Sequence, residues 1–311
     1  MTRAALLTVA VLLLLAPAAA ARPPQIGIGE QNPAFFDDRR WKALDSPHVR
    51  LVVSWDALKS GWQTAEIDAW MAAAARAKAK PLITFGHSRL DRREMYLPTR
   101  LEFARAFRAF RRRYPRQLLF QVWNEANHGT QPTFRRPARA ARYFDTMRRT
   151  CPRCTVAAPS VLDMGNMLRW IQKFQRAARR KVRIWSIHNH LDANRFRTLG
   201  TRKLLRHTKR GQLWFTETGG IVNRYIDGRR RKGYNRRNAA KATRQVFRLA
   251  RLSRRVTRIY FYHWIAPVER RPRWDSAFVT PKGRARPALR VLRAELRRAQ
   301  QPKARRRARR P

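Results

Sequence analysis

What most constrains the fold of this chain is an alternation: eight short apolar segments, most followed by a longer stretch with apolar residues at helical spacing among many arginines. The short segments are 26–30, 49–55, 81–86, 118–124, 155–159, 182–188, 212–217 and 258–264. Each is rich in Val, Ile, Leu, Phe or Trp and is bounded by Gly, Pro or a charged loop, which marks a strand. Several are apolar on both alternations, as strands covered on both faces are. The intervening stretches at 62–80, 101–114, 138–149, 166–179, 201–209, 235–254 and 284–298 read as helices; the second sets Leu101, Phe103, Phe107 and Phe110 against arginines,. Thr64 or a nearby residue can cap the first of them. Strands alternating with helices imply parallel βαβ units. Eight such units close into a (β/α)8 TIM barrel of the α/β class. An open doubly wound sheet is the competing architecture, but Gly27-Ile28-Gly29 lacks the third glycine of a dinucleotide fingerprint and no phosphate-cradling loop occurs,.

The two ends of the chain read differently. Residues 1–21 have the pattern of a secretory signal: Met1-Thr2-Arg3, an apolar run over 4–16, then small residues with an Ala-x-Ala cleavage pattern,. The run is too short to span a bilayer comfortably. The expectation is a secreted, extracellular, monomeric protein with no membrane attachment after cleavage and one barrel domain over 22–299. The basic tail, 300–311, has too little apolar content to fold and is expected to be disordered.

The formal charge is +52, from 71 Lys and Arg against 19 Asp and Glu. Basic residues are spread along the whole chain, so runs such as 111–113 read as solvated helix faces,. The sharper alternative is a partner of opposite sign, an acidic polysaccharide or an anionic cell-wall polymer. Cys151 and Cys154 have no two further ligands at metal spacing, and in an oxidising compartment they read as a small disulfide loop.

In a barrel of this kind the chemistry hangs from the C-terminal ends of the strands. The polar residues there are Arg50 on the second strand, His87 after the third, Asn124 and Glu125 ending the fourth, His188 and His190 on the sixth, Glu217 on the seventh, and Tyr262 with Trp264 on the eighth. Two carboxyl groups about 5 Å apart across a barrel mouth are the equipment of glycosidic cleavage with retention. With only 19 acidic residues in the chain, two at the ends of apolar strands carry information.

In this set of motifs the chain resembles the (β/α)8 retaining glycoside hydrolases of the Asn-Glu clan and is most similar to the cellulase-type glycoside hydrolase family 5. The resemblance implies hydrolysis of O-glycosidic bonds of a poly- or oligosaccharide by double displacement, with no cofactor or metal. Under it Glu125 is the general acid/base, Glu217 the nucleophile, and Asn124 the partner of the sugar 2-hydroxyl. Arg50 and His87 belong to the substrate site, and Trp264 is the aromatic platform under the sugar. The segment 276–289 is similar to the one that leads such barrels into their last helix. Trp55, Trp123 and Trp274 are further stacking candidates. The chain departs from the pattern on the sixth strand, where His188-Asn189-His190 stands in place of His-x-Tyr. His190 then takes the place of the tyrosine that hydrogen-bonds the nucleophile, or Tyr262 supplies the hydroxyl.

The same three letters invite a nuclease, but residues that end a buried strand do not make a hairpin–helix metal site, and no specific nucleic-acid partner is expected. A metal on His188 and His190 lacks an apparent third ligand. The competing function is a catalytically silent barrel that binds an anionic polymer through its basic surface; such a protein does not need both glutamates.

Overall fold

The computed structural model describes the backbone of residues 23–307 and side chains as far as residue 299. The segment read as a secretory signal, 1–21, lies outside the described residues. The strands are Gln25–Gly29 (β1), His48–Ser54 (β2), Lys80–Gly86 (β3), Leu119–Gln121 (β4), Thr155–Ala157 (β5), Ser160–Leu162 (β6), Ile184–His188 (β7), Gln212–Thr218 (β8), Tyr225–Ile226 (β9), Arg229–Arg230 (β10) and Val256–Tyr262 (β11). β9 and β10 form a separate hairpin, and the other nine make one sheet in the order β5-β4-β3-β2-β1-β11-β8-β7-β6, every pair parallel.

β5 and β6 are the halves of one stave, broken at Ala158-Pro159, where proline has no N–H for the ladder. That stave closes the sheet on itself. β5 pairs with β4, β6 pairs with β7, and between them the Ala158 N–H donates to the Ile184 carbonyl at 2.9 Å. The result is the eight-stave (β/α)8 barrel read from the alternation.

The helices are Arg39–Lys42 (α1), Gly61–Arg76 (α2), Arg100–Arg113 (α3), Pro137–Thr150 (α4), Met167–Ala177 (α5), His190–Asn194 (α6), Leu199–Thr208 (α7), Arg236–Ala250 (α8) and Pro287–Arg307 (α9). Thr99 and Glu102 close a capping box on α3, each satisfying a backbone N–H of the other's residue,. Thr64 does not cap α2: it sits inside the first turn, and Ser60 at the cap position makes no side-chain hydrogen bond to the helix. The backbone of α9 runs on to Arg307, into the tail expected to be disordered. Residues 308–311 lie outside the described residues. No helix among the described residues is long and apolar enough to cross a membrane.

Strand pleating sorts the side chains. Outward residues meet the helices, as where Phe85 and Phe120 pack edge-on against Phe107 and Phe110 of α3, with centroids 5.2–6.2 Å apart,. Inward residues at the N-terminal end form a small apolar layer of Leu82, Ala157, Ile184, Trp214 and Tyr260. Gly27 makes room for it, since a β-carbon there would stand 2.6 Å from the Tyr260 ring. Cys151 and Cys154 form a disulfide in the loop from α4 into β5, at this same end.

Candidate active site

Above the apolar layer the barrel interior turns polar. The Arg50 Nε–H donates to Thr84 Oγ1 at 3.0 Å, Thr84 Oγ1 donates to Gln121 Oε1 at 2.9 Å, and the Gln121 amide donates to Thr216 Oγ1 at 3.0 Å. This ladder crosses the barrel from β2 to β8 and fixes the buried Arg50 guanidinium. One guanidinium nitrogen donates to Glu217 Oε2 at 2.8 Å and another to Asn124 Oδ1 at 2.6 Å. A buried cation held by a carboxylate and two amide or hydroxyl acceptors is well compensated.

Both glutamates reach this layer by a local break in the backbone. In β8, Phe215 points to the helices and Thr216 inward to Gln121, so strict alternation would aim the next side chain outward,. The register against β7 skips there, pairing Ile187 with Phe215 but His188 with Glu217. That bulge turns a second consecutive side chain into the barrel. At the end of the fourth stave Glu125 adopts φ 46°, the left-handed region that a non-glycine residue enters at a cost of about 1–2 kcal/mol,. The Glu125 N–H is tied to Ser160 Oγ at 2.9 Å, and the Ala126 N–H to the Ser160 carbonyl at 2.9 Å.

The two carboxylates and two imidazoles then converge. One ligand atom from each of Glu125, His188, His190 and Glu217 lies within 4.8 Å of the others. His188 Nδ1 sits 3.1 Å from Glu125 Oε1 and 3.9 Å from Glu217 Oε2. His190 Nε2 stands 3.5 Å from Glu217 Oε1, beyond a well-formed hydrogen bond,. His190 therefore lies beside Glu217 without making the hydrogen bond expected of it. Burial alone would push the Glu217 carboxyl up; the fields of His188, His190 and Arg50 outweigh it and hold the group well below the usual carboxylate range,. Arg50 is the permanently charged part of that field, while burial draws the His188 imidazole down. Burial first and the Glu217 charge second push the Tyr262 hydroxyl up, so it keeps its proton; Glu217 is hydrogen-bonded to Arg50 instead of to this hydroxyl.

Buried polar atoms without partners gather here: His188 Nε2 and both His190 nitrogens. Thirteen further buried polar atoms without partners lie elsewhere among the described residues, so it is the convergence of these three beside two carboxylates that sets the place apart. Glu125 and Glu217 also supply the third and fourth metal-ligating groups that the sequence did not show beside His188 and His190. The Arg50 guanidinium on Glu217 puts a permanent positive charge against any cation there.

His87 lies at the rim, its Nδ1 3.0 Å from the Gln131 amide nitrogen. A cavity of about 690 Å³ opens beside it, lined by Asn124, Gln31, Val52, Gln63 and Glu66 among others. A cavity of equal volume at the opposite end, lined by Asp45, His48 and Glu295, touches none of these groups.

Trp264 is not a platform. It is 0% exposed and packs on Phe278 with centroids 5.8 Å apart. Its backbone N–H donates to the buried carboxylate of Glu30 at 2.9 Å, which turns this strand end into the core. Trp55 and Trp123 are likewise buried. Trp274 alone of the four is partly exposed, and its ring meets His190 edge-on at 4.8 Å. Glu30, Thr84, Gln121, Ser160 and Thr216 escaped the sequence reading because their roles lie in contacts between staves; only their polarity within apolar strands could have signalled them.

The barrel is shared with solved glycoside hydrolases. GH5_18 of Streptomyces cattleya, solved with GlcNAc, matches over 90% of this chain and 81% of its own, at TM-score 0.63 and 16% identity. Xylanase 10B of Thermotoga maritima matches over 88% of this chain and 94% of its own, at TM-score 0.61 and 11% identity. A family 39 glycoside hydrolase from Bacteroides cellulosilyticus WH2 matches over 88% of this chain, at TM-score 0.58 and 14% identity, and this chain spans 63% of that protein's length. No protein-family model matches the chain, and no curated sequence does. Identities this low establish a common fold; activity has to be argued from the site.

Proposed function

We propose that this protein is a retaining glycoside hydrolase that cleaves O-glycosidic bonds of a poly- or oligosaccharide, with Glu217 as nucleophile and Glu125 as general acid/base. The observation that carries this is a carboxylate oxygen of each glutamate within 4.8 Å at the mouth of the barrel. About 5 Å suits attack by one group and protonation by the other, whereas inversion needs roughly 6.5–9.5 Å to admit a water.

The surroundings divide the labour. Glu217 is the more enclosed carboxylate and is kept an anion by Arg50. It attacks the anomeric carbon while the bond to the leaving oxygen breaks, and Glu125, more open to the mouth, gives that oxygen its proton,. Water then attacks the glycosyl-enzyme, Glu125 takes the water's proton, and Glu217 leaves with its electron pair. Because Arg50 holds the Asn124 carbonyl oxygen, the Asn124 amide N–H groups stay free to donate to a sugar hydroxyl,. His87 and the cavity beside it accommodate further sugar units. The fold neighbour solved with GlcNAc supports a saccharide ligand.

We also read the protein as exported. The apolar run and cleavage pattern over 1–21 support this,, as does the Cys151–Cys154 disulfide, which suits an oxidising compartment,.

The test is digestion of a panel of defined poly- and oligosaccharides, with the anomeric configuration of the first-formed product followed by proton NMR. Cleavage with retention is expected. An inverted product would overturn the double displacement, and no cleavage across the panel would overturn the enzyme.

A further inference from the structure

The mouth is cationic in one particular place. The loop after β8 folds against the loop after β11: the Val222 and Asn223 N–H groups donate to the Asp275 carbonyl at 2.7 and 3.1 Å. That packing sets the Arg224 guanidinium over the Trp274 ring, 5.2 Å from its centroid,. Trp274 is itself fixed, its Nε1–H donating to Ser276 Oγ at 2.8 Å. Its ring meets His190, and His190 Nε2 stands 3.5 Å from Glu217. A continuous series of contacts therefore runs from the glutamate at the centre of the mouth to Arg224.

Arg224 is half-buried and unneutralised, as the ring-stacked Arg93 and Arg258 also are, and it differs from them in stacking on a ring that touches His190 at the mouth. It enters none of the ion pairs among the described residues. The deeply buried Arg50 and Arg286 each hold a carboxylate, Glu217 and Asp275 respectively. A planar guanidinium oriented by stacking, with its N–H groups uncommitted, is suited to a carboxylate brought by a ligand.

We propose that Arg224 and Trp274 form a subsite for a uronic acid unit, the sugar lying beside the indole and its C6 carboxylate on the guanidinium, so that the substrate is an acidic saccharide. This rests on the glycoside hydrolase reading for the fate of the bond, but not for the binding. The long-range field of a chain with 71 basic and 19 acidic residues draws any polyanion,; Arg224 turns attraction into recognition at one ring.

The experiment uses the Glu125→Gln protein on an array of gluco-, manno- and galacto-oligosaccharides, each present as the neutral chain and as the chain oxidised to uronate at C6. At about 0.15 M salt, where long-range attraction is screened to about 8 Å, at least one uronate chain should bind tenfold or more tighter than its neutral partner. Arg224→Gln in the same background should remove about tenfold of that preference, as expected for losing a charge-assisted contact. Arg112→Gln, on the exposed outer face of α3, should leave the preference in place. Equal binding of neutral and oxidised chains, equal losses from the two arginine variants, or no binding to any chain would each overturn the subsite. Uronate binding that depends on Arg224, with no hydrolysis of the same chains by the unmutated protein, would keep the subsite and overturn the glycosidase.

Discussion

The two ends of the barrel interior are made by the same staves and follow different rules. At the N-terminal end the interior is apolar: Leu82, Ala157, Ile184, Trp214 and Tyr260 bury one another. At the C-terminal end the backbone is broken at the two glutamates of the mouth. β8 skips a register to turn Glu217 inward, and Glu125 sits in the left-handed region. The apolar layer gains burial; the breaks turn two carboxylates into the barrel mouth. The comparison teaches that the mouth is held in a locally unfavourable shape by what lies beneath it, the ladder from Arg50 to Thr216 and the apolar layer below.

The largest expected effect separates the ends by activity. Glu217→Gln should lower kcat by something on the order of 10⁴-fold, about 5 kcal/mol in the barrier, while thermal unfolding shifts by only a few degrees because an acceptor for Arg50 remains. Steady-state kinetics beside calorimetry checks this, and retained activity would undo the division between the ends. Trp214→Ala should do the reverse, costing about 3–5 kcal/mol of stability as a large core side chain is removed. The folded fraction, counted by active-site titration, should keep its kcat/KM.

Arg50→Gln sharpens the comparison at the join. Arg50 favours the anionic form of Glu217, so its loss raises that carboxyl, and protonation then removes the nucleophile at a higher pH,. The acid limb of the kcat/KM profile should move upward; a limb that stays in place would show that the ladder does not set the charge of the mouth. At the N-terminal end, replacing Cys151 and Cys154 together by Ser should cost about 2 kcal/mol, the closure entropy of so short a loop,. Denaturant melts should show it, with kinetics unchanged.

The smallest effect is on pH. Burial, with Arg258 and Lys80 nearby, draws the His48 imidazole down from 6.5 to about 4. A folded value below the unfolded one means stability that is fully present above pH 6.5 and is lost as pH falls toward 4,. Solvent at the strand end screens the term to about 1 kcal/mol. His48→Gln should therefore flatten the melting temperature between those pH values without altering turnover.

Much of this was legible in the sequence. The strands from 26–30 to 258–264 announced themselves because a stave covered on both faces is mostly apolar and stands out against the charged loops beside it. The Asn124-Glu125 pair, Glu217, Arg50 and His190 stood out because polar groups ending apolar strands are few here. The bulge at Thr216 and the left-handed Glu125 left no mark, since both arise from pairing with neighbouring staves. Trp264 misled for a related reason: an aromatic at a strand end can face the mouth or the core, and the Glu30 carboxylate that decides it lies 234 residues away in sequence. Trp274 occupies a loop that no periodicity positions, and it reaches the mouth because the Asn223 and Asp275 segments pair.

The most direct test of the two carboxylates uses azide on the Ala variants with an activated aryl glycoside. The space left in Glu217→Ala lies on the face from which the carboxylate attacked, so azide entering there should partly restore turnover and give a glycosyl azide of inverted configuration. In Glu125→Ala the first step survives with a good leaving group and azide attacks the glycosyl-enzyme, which should give the azide of retained configuration. Product configurations read by NMR the other way round would make Glu125 the nucleophile, and no rescue of either variant would contradict a retaining mechanism built on this pair.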